Sequence, residues 1–344
     1  MAARRYATAY GRGRTKYRAG RSRRSAAKLC AIVLLLGALL SAVSGVLLSA
    51  SSANTIPLAS QAFDAREAWD SAGGPYCSGQ GDSPPKTVEA KEVFLVDAES
   101  GRTVFERDSD KKIAPASTAK MATALTVIDL LPLDKEVEVG KEIGLINEES
   151  SRAWLERGDV LTVRQLLIAL MLPSGNDAAY TLAVHAGRAA AGNNDLPMQD
   201  AIREFMGCVN AKAIALGAES SHFVVPDGFD AEGQYTTAVD LAILAKACLE
   251  DPTLAEIVST PVSHEQWPSG EEATFRSTNQ LIDPDSPYYF PGAMGIKTGS
   301  TTLAGACLVS AAEIEGRIYI GVVMGSSDES RFQDAINLYE SIPG

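Results

Sequence analysis

β-like runs lie near both ends of the folded part of this sequence, with a long helical tract between them. Residues 93–96 and 103–105 flank a turn at Glu99-Ser100-Gly101, the pattern of a β-hairpin. Three further runs near the C-terminus span residues 293–297, 304–311 and 317–324. Strands at both ends with helices between them predict one antiparallel sheet whose first and last pieces meet in space.

The middle of the sequence predicts a helical lobe that packs against this sheet. Apolar residues spaced from Val163 to Leu170 mark one face of a helix. Thr237, followed by Asp240 three residues later, resembles a capping box that opens another helix. We therefore predict an α+β fold, an antiparallel sheet flanked by helices with a helical lobe. A cleft between the two lobes is the expected place for a site.

The N-terminal segment has the composition of an export signal or a membrane anchor. Residues 1–28 contain ten Lys or Arg and no acidic residue, and residues 29–50 form an uncharged run of 22 residues. That length suits a membrane span of about 20 residues, with the cations on the cytoplasmic side. Ser51-Ser52-Ala53 also offers a small-residue cleavage site, so an anchor and a removed signal both stay open.

Both alternatives predict that the rest of the chain is exported to the extracytoplasmic face of the membrane or to the cell wall. Residues 51–88 are rich in Ala, Ser, Gly and Pro, which predicts a linker. The folded domain is then expected over residues 89–344. Outside the basic leader the chain carries 21 basic and 43 acidic side chains, a net charge of −22. This charge argues against a nucleic-acid partner, because phosphate binding needs clustered Lys and Arg.

Cysteine and histidine usage predicts neither a metal site nor another cofactor. The sequence has no Cys-x-x-Cys and no His-x-x-x-His, and its three histidines are widely separated. Four cysteines outside the leader permit three disulfide pairings: Cys77, Cys208, Cys248 and Cys307. Cys248 lies on the apolar face of a predicted helix, where we expect a buried free thiol.

Three short motifs carry the chemistry. Ser117-Thr118-Ala119-Lys120 is followed after fifty-seven residues by Ser174-Gly175-Asn176, and after a further 123 by Lys297-Thr298-Gly299. Together they supply a nucleophile, a candidate base, a second hydroxyl and a second cation, the parts needed for acyl transfer through a serine ester. Each motif alone also fits a helix cap or a turn, and Ser-x-x-Lys occurs four times. The ordered set of three favours the catalytic interpretation.

The spacing of the first motif suits a nucleophile and its base. Residues three apart lie on one face of a helix, so Lys120 can reach the hydroxyl of Ser117. The amine of Lys120 must be neutral to accept a proton, and a free lysine has a pKa of roughly 10.4. We expect burial and a nearby cation, Lys297, to lower the pKa of Lys120 towards about 7 to 8.

The other two motifs predict contacts with a substrate. The hydroxyl of Ser174 would bridge Lys120 to the leaving nitrogen, and the Asn176 amide would hold a substrate peptide group. Gly299 would bring backbone close to the ligand. A substrate carboxylate would be bound by Lys297 and the hydroxyls of Thr298 and Ser300. The backbone N–H groups of Ser117 and Ser300 are expected to form an oxyanion hole.

On these residues the chain resembles the low-molecular-mass penicillin-binding proteins that act as serine D-alanyl-D-alanine carboxypeptidases, peptidase family S11. The likeness runs from about Ala90 to Tyr339. The matching stretches are residues 96–101, 115–120, 170–179, 233–238, 295–299 and 330–335. The resemblance implies a β-lactamase/transpeptidase-like fold, peptidoglycan stem peptides as substrates and β-lactams as covalent inhibitors. It also implies that Ser117 is the acyl-enzyme nucleophile.

By the same resemblance Lys120 accepts the proton, Ser174 is the shuttle, and Lys297 binds the terminal carboxylate. One departure is Asp227, at a position where relatives often have His.

A β-lactamase is the nearest alternative function, but no glutamate from residue 204 to residue 272 begins the Glu-x-x-Leu-Asn pattern of class A enzymes. A catalytically silent wall-binding protein would not need the nucleophile and base. The sequence thus favours removal of the terminal D-alanine of stem peptides.

Overall fold

The computed structural model describes residues 81–342, so the predicted leader, the apolar run and most of the predicted linker lie outside it. Within these residues, no helix is both long and apolar enough to cross a membrane.

The strands are β1 Glu92–Asp97, β2 Thr103–Arg107, β3 Glu136–Glu138, β4 Val160–Thr162, β5 Val262–Gln266, β6 Glu272–Arg276, β7 Ala293–Thr301, β8 Gly305–Ile314 and β9 Arg317–Ser326. The α-helices are α1 Lys120–Leu130, α2 Val163–Met171, α3 Asn176–Ala190, α4 Met198–Ala215, α5 Ala238–Glu250, α6 Pro252–Val258 and α7 Ser330–Glu340.

Strands from the two ends of the described chain form one five-stranded sheet. Its order is β2-β1-β9-β8-β7, and every neighbouring pair is antiparallel. The N-terminal strand β1 pairs directly with β9, with Phe94 opposite Val322. The predicted meeting of the first and last strands is therefore confirmed.

Helices cover both faces of this sheet, so its central strands are apolar on both sides. Successive strand residues point to opposite faces. On β1, Val93 and Leu95 belong to the core that contains Phe332 of α7, whereas Phe94 and Val96 belong to the larger core shared with the other helices. Every residue of β1 is buried as a result. This double cover explains why β1 reads as a continuous apolar run rather than an alternating one.

The remaining helices form a lobe around α1, which lies in its middle. The first eight residues of α1, Lys120 to Val127, are all buried. Helices α3 and α4 approach so closely at Gly187 that a side chain there would clash: a Cβ atom on Gly187 would lie 1.8 Å from the carbonyl oxygen of Ala201. The lobe therefore fixes α1, and with it the start of the helix, against the sheet.

The helix starts expected from the sequence are present. The Thr237 hydroxyl accepts a hydrogen bond from the backbone N–H of Asp240 at 3.1 Å and caps α5. The Thr162 side chain caps α2 in the same way and forms a full capping box with Gln165. The buried, unpaired thiol of Cys248 is confirmed on α5, and Cys208 and Cys307 are also free thiols. Cys77 lies outside the described residues.

The third motif lies inside a strand, which corrects the expected strand end at residue 297. β7 continues to Thr301 and pairs with β8, with Lys297 opposite Val309. The turn comes later because Asp230 binds it: the carboxylate accepts from the Thr301 hydroxyl at 2.7 Å and from the Leu303 N–H at 3.1 Å. The motif is thereby held on a rigid strand.

Part of the predicted linker contacts the sheet. Asp82 exchanges backbone hydrogen bonds with β2, donating to Val104 and accepting from Glu106, each at 3.0 Å. Val88 is 2% exposed and belongs to the core beneath α7. Residues 82 to 88 are therefore part of the packed structure.

Candidate active site

Ser117 lies on a single 3₁₀ turn, Ala116–Ala119, that runs directly into α1. The side chain of Thr118 closes this turn by donating to the Pro115 carbonyl at 2.5 Å. Ala116 adopts a positive φ of 48°, a conformation uncommon for a residue with a side chain. The turn thus presents the Ser117 side chain to the cleft, at the helix start that the sequence predicts.

Lys120 is fully buried and makes three hydrogen bonds. Its Nζ atom donates to Ser117 Oγ at 2.8 Å, to Asn176 Oδ1 at 2.7 Å and to the carbonyl oxygen of Asp227 at 2.8 Å. These acceptors come from three separate parts of the chain. The ammonium is therefore held in one position, with its donors satisfied.

Burial is the largest influence on Lys120 and lowers its pKa to about 8, against the opposing charges of Asp227 and Asp177. A lysine with that pKa is neutral in about a tenth of the molecules at pH 7, against roughly one in 2,500 for an exposed lysine. The pKa of the side chain that touches Ser117 Oγ therefore lies in the range that a general base needs near neutral pH, and its role as base stays a prediction. The predicted lowering is present, but its main cause is burial rather than the charge of Lys297.

The second motif places a buried hydroxyl and an amide beside this pair. Ser174 has a φ of 64°, and its Oγ atom has no hydrogen-bond partner among residues 81–342. Gly175 follows in a tight position, because a Cβ atom there would lie 2.8 Å from the Ala169 carbonyl oxygen. Asn176 begins α3, and its amide contacts Lys120 and Asp227. Its expected contact with a substrate stays a prediction.

The third motif runs along β7 against the 3₁₀ turn of residues 116–119, which we call the nucleophile turn after the role predicted for Ser117. A Cβ atom on Gly299 would lie 2.9 Å from the backbone nitrogen of Ser117 and 2.9 Å from the Ala116 Cβ atom. Only glycine lets the two backbones approach this closely. Thr298 Oγ1 lies 2.5 Å from the hydroxyl of Thr278. The sheet and the helical lobe therefore meet at Ser117.

Lys297 is buried, and within the described part of the chain its Nζ atom has no hydrogen-bond partner. Burial lowers the pKa of Lys297 well below its usual value, and the charges of Lys120 and Arg331 lower it further. A buried cation without a partner is unfavourable, so this position is suited to an anionic ligand.

One cavity of about 250 Å³ connects these groups. Its lining includes Ser117, Ser174, Asn176, Thr298, Gly299 and Ser300. Lys120 contacts this lining through Ser117, and Lys297 precedes Thr298 on β7. The structure therefore brings the three motifs into one cleft, although they are spread over residues 117–299 of the sequence.

Further residues of the cleft carry no motif of their own. Arg331 at the start of α7 lines the cavity and donates to the Gly299 carbonyl at 3.2 Å. Thr278 also lines it. The stretch around Arg331 matches the family pattern, but the sequence predicts no role for it. No sequence motif around Thr278 indicates that this residue lines a site. Among residues 81–342, no group of three or more His, Cys, Asp or Glu side chains is placed to hold a metal ion.

Two curated relatives resemble the chain over most of its length. The D-alanyl-D-alanine carboxypeptidase of Streptomyces sp. strain K15 is 32% identical over 264 residues, 73% of this chain and 86% of the relative. D-alanyl-D-alanine carboxypeptidase DacF of Bacillus subtilis is 29% identical over 243 residues. That match covers 70% of this chain but 58% of DacF, so the chain spans little more than half of that relative.

Solved structures share the fold. The crystal structure of the Streptomyces K15 DD-transpeptidase superposes with a TM-score of 0.68 and 31% identity, covering 75% of this chain and 98% of that one. The D-alanyl-D-alanine carboxypeptidase of Mycobacterium tuberculosis H37Rv gives a TM-score of 0.63 at 30% identity, covering 75% and 90%. The family model of the S11 peptidases, described as D-alanyl-D-alanine carboxypeptidase, matches residues 79–328. The chain belongs to this family of serine D-alanyl-D-alanine carboxypeptidases, and its sheet and helical lobe form the β-lactamase/transpeptidase-like fold.

Proposed function

We propose that the protein is a serine D-alanyl-D-alanine carboxypeptidase that removes the terminal D-alanine of peptidoglycan stem peptides. The observation that carries this proposal is the 2.8 Å contact between Lys120 Nζ and Ser117 Oγ in the cleft. In the neutral form of Lys120 the contact reverses, and the amine accepts the hydroxyl proton. β-Lactams would acylate the same serine and act as covalent inhibitors.

In the acylation step, Ser117 Oγ attacks the carbonyl carbon of the penultimate D-alanine and its proton passes to Lys120 Nζ. The carbonyl oxygen becomes an oxyanion, for which the backbone N–H groups of Ser117 and Ser300 are the proposed donors. Gly299 supports this arrangement, because its lack of a side chain lets β7 lie against the Ser117 nitrogen. A single donor of this kind contributes about 10²- to 10³-fold to the rate.

The terminal carboxylate of the substrate is assigned to the β7 side of the cleft. Lys297 supplies a buried cation, and Arg331 adds a second one on the cavity wall. The hydroxyls of Thr298 and Ser300 line the same cavity and can donate to a carboxylate oxygen. A bound carboxylate would also raise the pKa of Lys297, so binding and charge state support each other.

The leaving group needs a proton as the C–N bond breaks. Ser174 lines the cleft, and its buried hydroxyl has no hydrogen-bond partner within the described chain. We assign it the transfer of the proton from Lys120 to the D-alanine nitrogen. Water then attacks the Ser117 ester, Lys120 takes its proton, and the shortened peptide leaves.

The substrate lies outside the cytoplasm, so the proposal includes export of the catalytic domain. The basic segment of residues 1–28 and the uncharged run of residues 29–50 support this location, either as a membrane tether or as a removed signal. Mass measurement of the native N-terminus would distinguish the two, because cleavage would remove the residues before the new terminus.

The test of function is incubation of the full chain with a D-Ala-D-Ala peptide and, separately, with a fluorescent penicillin. We expect release of D-alanine and a label on Ser117, located by peptide mapping. Added glycine as an amine acceptor would show whether the acyl group is also transferred to amines. Absence of both released D-alanine and label would rule the proposal out.

A further inference from the structure

Asp227 contacts both the proposed base, Lys120, and the Asn176 amide beside it, although it belongs to none of the three motifs. Its carbonyl oxygen accepts from Lys120 Nζ at 2.8 Å. Its carboxylate accepts from Asn176 Nδ2 at 2.6 Å and from the backbone N–H of Phe229 at 3.1 Å. Asp227 is 2% exposed. One residue thus holds Lys120 through its backbone and the Asn176 amide through its side chain.

The loop that carries Asp227 is fixed against the nucleophile turn. The preceding carbonyl, of Pro226, accepts from the Thr123 hydroxyl of α1 at 2.7 Å. The following residue, Gly228, has a φ of 79°, and a Cβ atom there would lie 1.9 Å from the Ala116 carbonyl oxygen. The loop therefore packs too closely for Asp227 to move away from Lys120.

The carboxylate determines which way the Asn176 amide points. An amide has one oxygen that accepts and one nitrogen that donates, whereas an ammonium only donates and a carboxylate only accepts. Asn176 Oδ1 faces Lys120 and Nδ2 faces Asp227. A reversed amide would place donor against donor and acceptor against acceptor. A neutral residue at position 227 would remove half of this constraint.

Asp227 also acts on Lys120 through its charge. Burial lowers the pKa of Lys120, and the Asp227 carboxylate opposes that effect, with Asp177 of α3 acting in the same direction. The other charged and titratable groups that face this cluster are Tyr180 of α3, Lys297 of β7 and Arg331 of α7. Burial raises the pKa of Asp227 itself, while Lys120 lowers it.

We propose that Asp227 is a positioning residue that orients the Asn176 amide towards Lys120 and sets the pH range in which Lys120 accepts the Ser117 proton. The inference rests on the proposed function, because it assigns Asp227 a part in the same acylation step. It adds a fourth element to the site, on the loop before α5. In this chain the carboxylate occupies the position where the family resemblance places a histidine in many relatives.

The experiment is the rate of acylation by fluorescent penicillin, measured with the full chain from pH 5 to pH 10 for wild type and Asp227→Asn. The acylation rate should rise with pH until Lys120 is deprotonated, and we call this part of the plot the rising limb. Loss of the negative charge lowers the pKa of Lys120, so the rising limb should move by about 1 pH unit to lower pH. The plateau should fall about tenfold, because the orientation of the Asn176 amide is then fixed only by Lys120 and no longer by a carboxylate at position 227. Asp227→His is measured alongside, since the fold of relatives accommodates that residue.

Asp334→Asn is the matched control. Asp334 is also buried, at 1% exposed, and its carboxylate accepts from the backbone N–H groups of Glu89 and Ala90 below α7. A structural loss at Asp334 lowers stability but leaves the position of the rising limb unchanged. An unmoved limb in both Asp227 variants, with wild-type labelling intact, would overturn the inference alone. Failure of wild type to take the label would instead overturn the proposed function.

Discussion

The Nζ atom of Lys120, which is fully buried, lies 2.8 Å from the Oγ atom of Ser117, which is one helical turn away and lines the cleft. The short sequence separation makes the contact possible, and the burial changes its chemistry. An exposed pair with the same spacing would hold a lysine that is charged at neutral pH. Here the surrounding lobe removes water from the amine and lowers its pKa, which supports the proposed roles of Ser117 as nucleophile and Lys120 as its base.

Ser117→Ala should abolish labelling by fluorescent penicillin and release of D-alanine, because the ester cannot form without the hydroxyl. Folding should be unaffected, since Ser117 faces the cavity. Ser109→Ala is the matched control: Ser109 begins another Ser-x-x-Lys sequence, but its hydroxyl donates to Glu106 at 3.0 Å. Label on the Ser117→Ala variant would assign the nucleophile to another residue.

The acylation rate of the wild type should rise with pH and level off above about pH 8. The pKa of Lys120 is lowered to about 8, and below that value the amine carries a proton and cannot accept another. Each pH unit below the pKa therefore reduces the rate about tenfold. Stopped-flow measurement between pH 6 and pH 9 checks this. A rate that stays constant over that range would mean that Lys120 is not the base.

Lys297→Met should lower kcat/KM for a peptide ending in a free carboxylate by about 10- to 150-fold, which corresponds to the roughly 1.5–3 kcal/mol of a hydrogen bond to a charged group. Within the described chain the Lys297 Nζ atom has no hydrogen-bond partner, so its removal leaves no internal group unpaired. The same peptide with a C-terminal amide is the control substrate. Wild type should prefer the acid, and the variant should lose that preference. An undiminished preference would place the carboxylate elsewhere.

Gly299→Ala should reduce acylation by at least about tenfold, because the new Cβ atom would lie 2.9 Å from the Ser117 nitrogen and would push β7 away from the nucleophile turn. Gly207→Ala is the control. Apart from the nearby backbone of its own helix, no heavy atom of the described residues lies within 4 Å of a Cβ atom at that position. That variant should keep full activity and gain about 0.5–1 kcal/mol of unfolding free energy. Equal labelling rates for the two variants would contradict the close approach at Gly299.

The fold was predictable because strand and helix patterns are local. The alternation or continuity of apolar residues over four to ten positions identified the sheet strands and the closing helix α7, and a Thr-Asp pair marked the start of α5. Strand ends were less predictable. β7 extends to Thr301 because Asp230, seventy-one residues away, binds the turn that follows it. No local pattern contains that interaction.

The site followed a similar division. The three sequence motifs identified four candidate site residues, because residue type and order are properties of the sequence. These are Ser117, Lys120, Ser174 and Lys297. Burial is not such a property: whether Lys120 is a charged surface lysine or a base depends on how many atoms surround it. Arg331 and Thr278 reach the cavity from distant elements and carry no motif.

The sequence by itself determined the identity and order of the reactive groups, since these depend only on residue type and short spacing. Tertiary structure alone decided that the Ser117 hydroxyl lines the cleft and that both amines and the Asp227 carboxylate are buried. The physical reason is that pKa and reactivity depend on solvation and on charges within a few ångströms. Those neighbours are distant from Lys120 in the sequence: Asp227 is 107 residues away, and only packing brings it into contact.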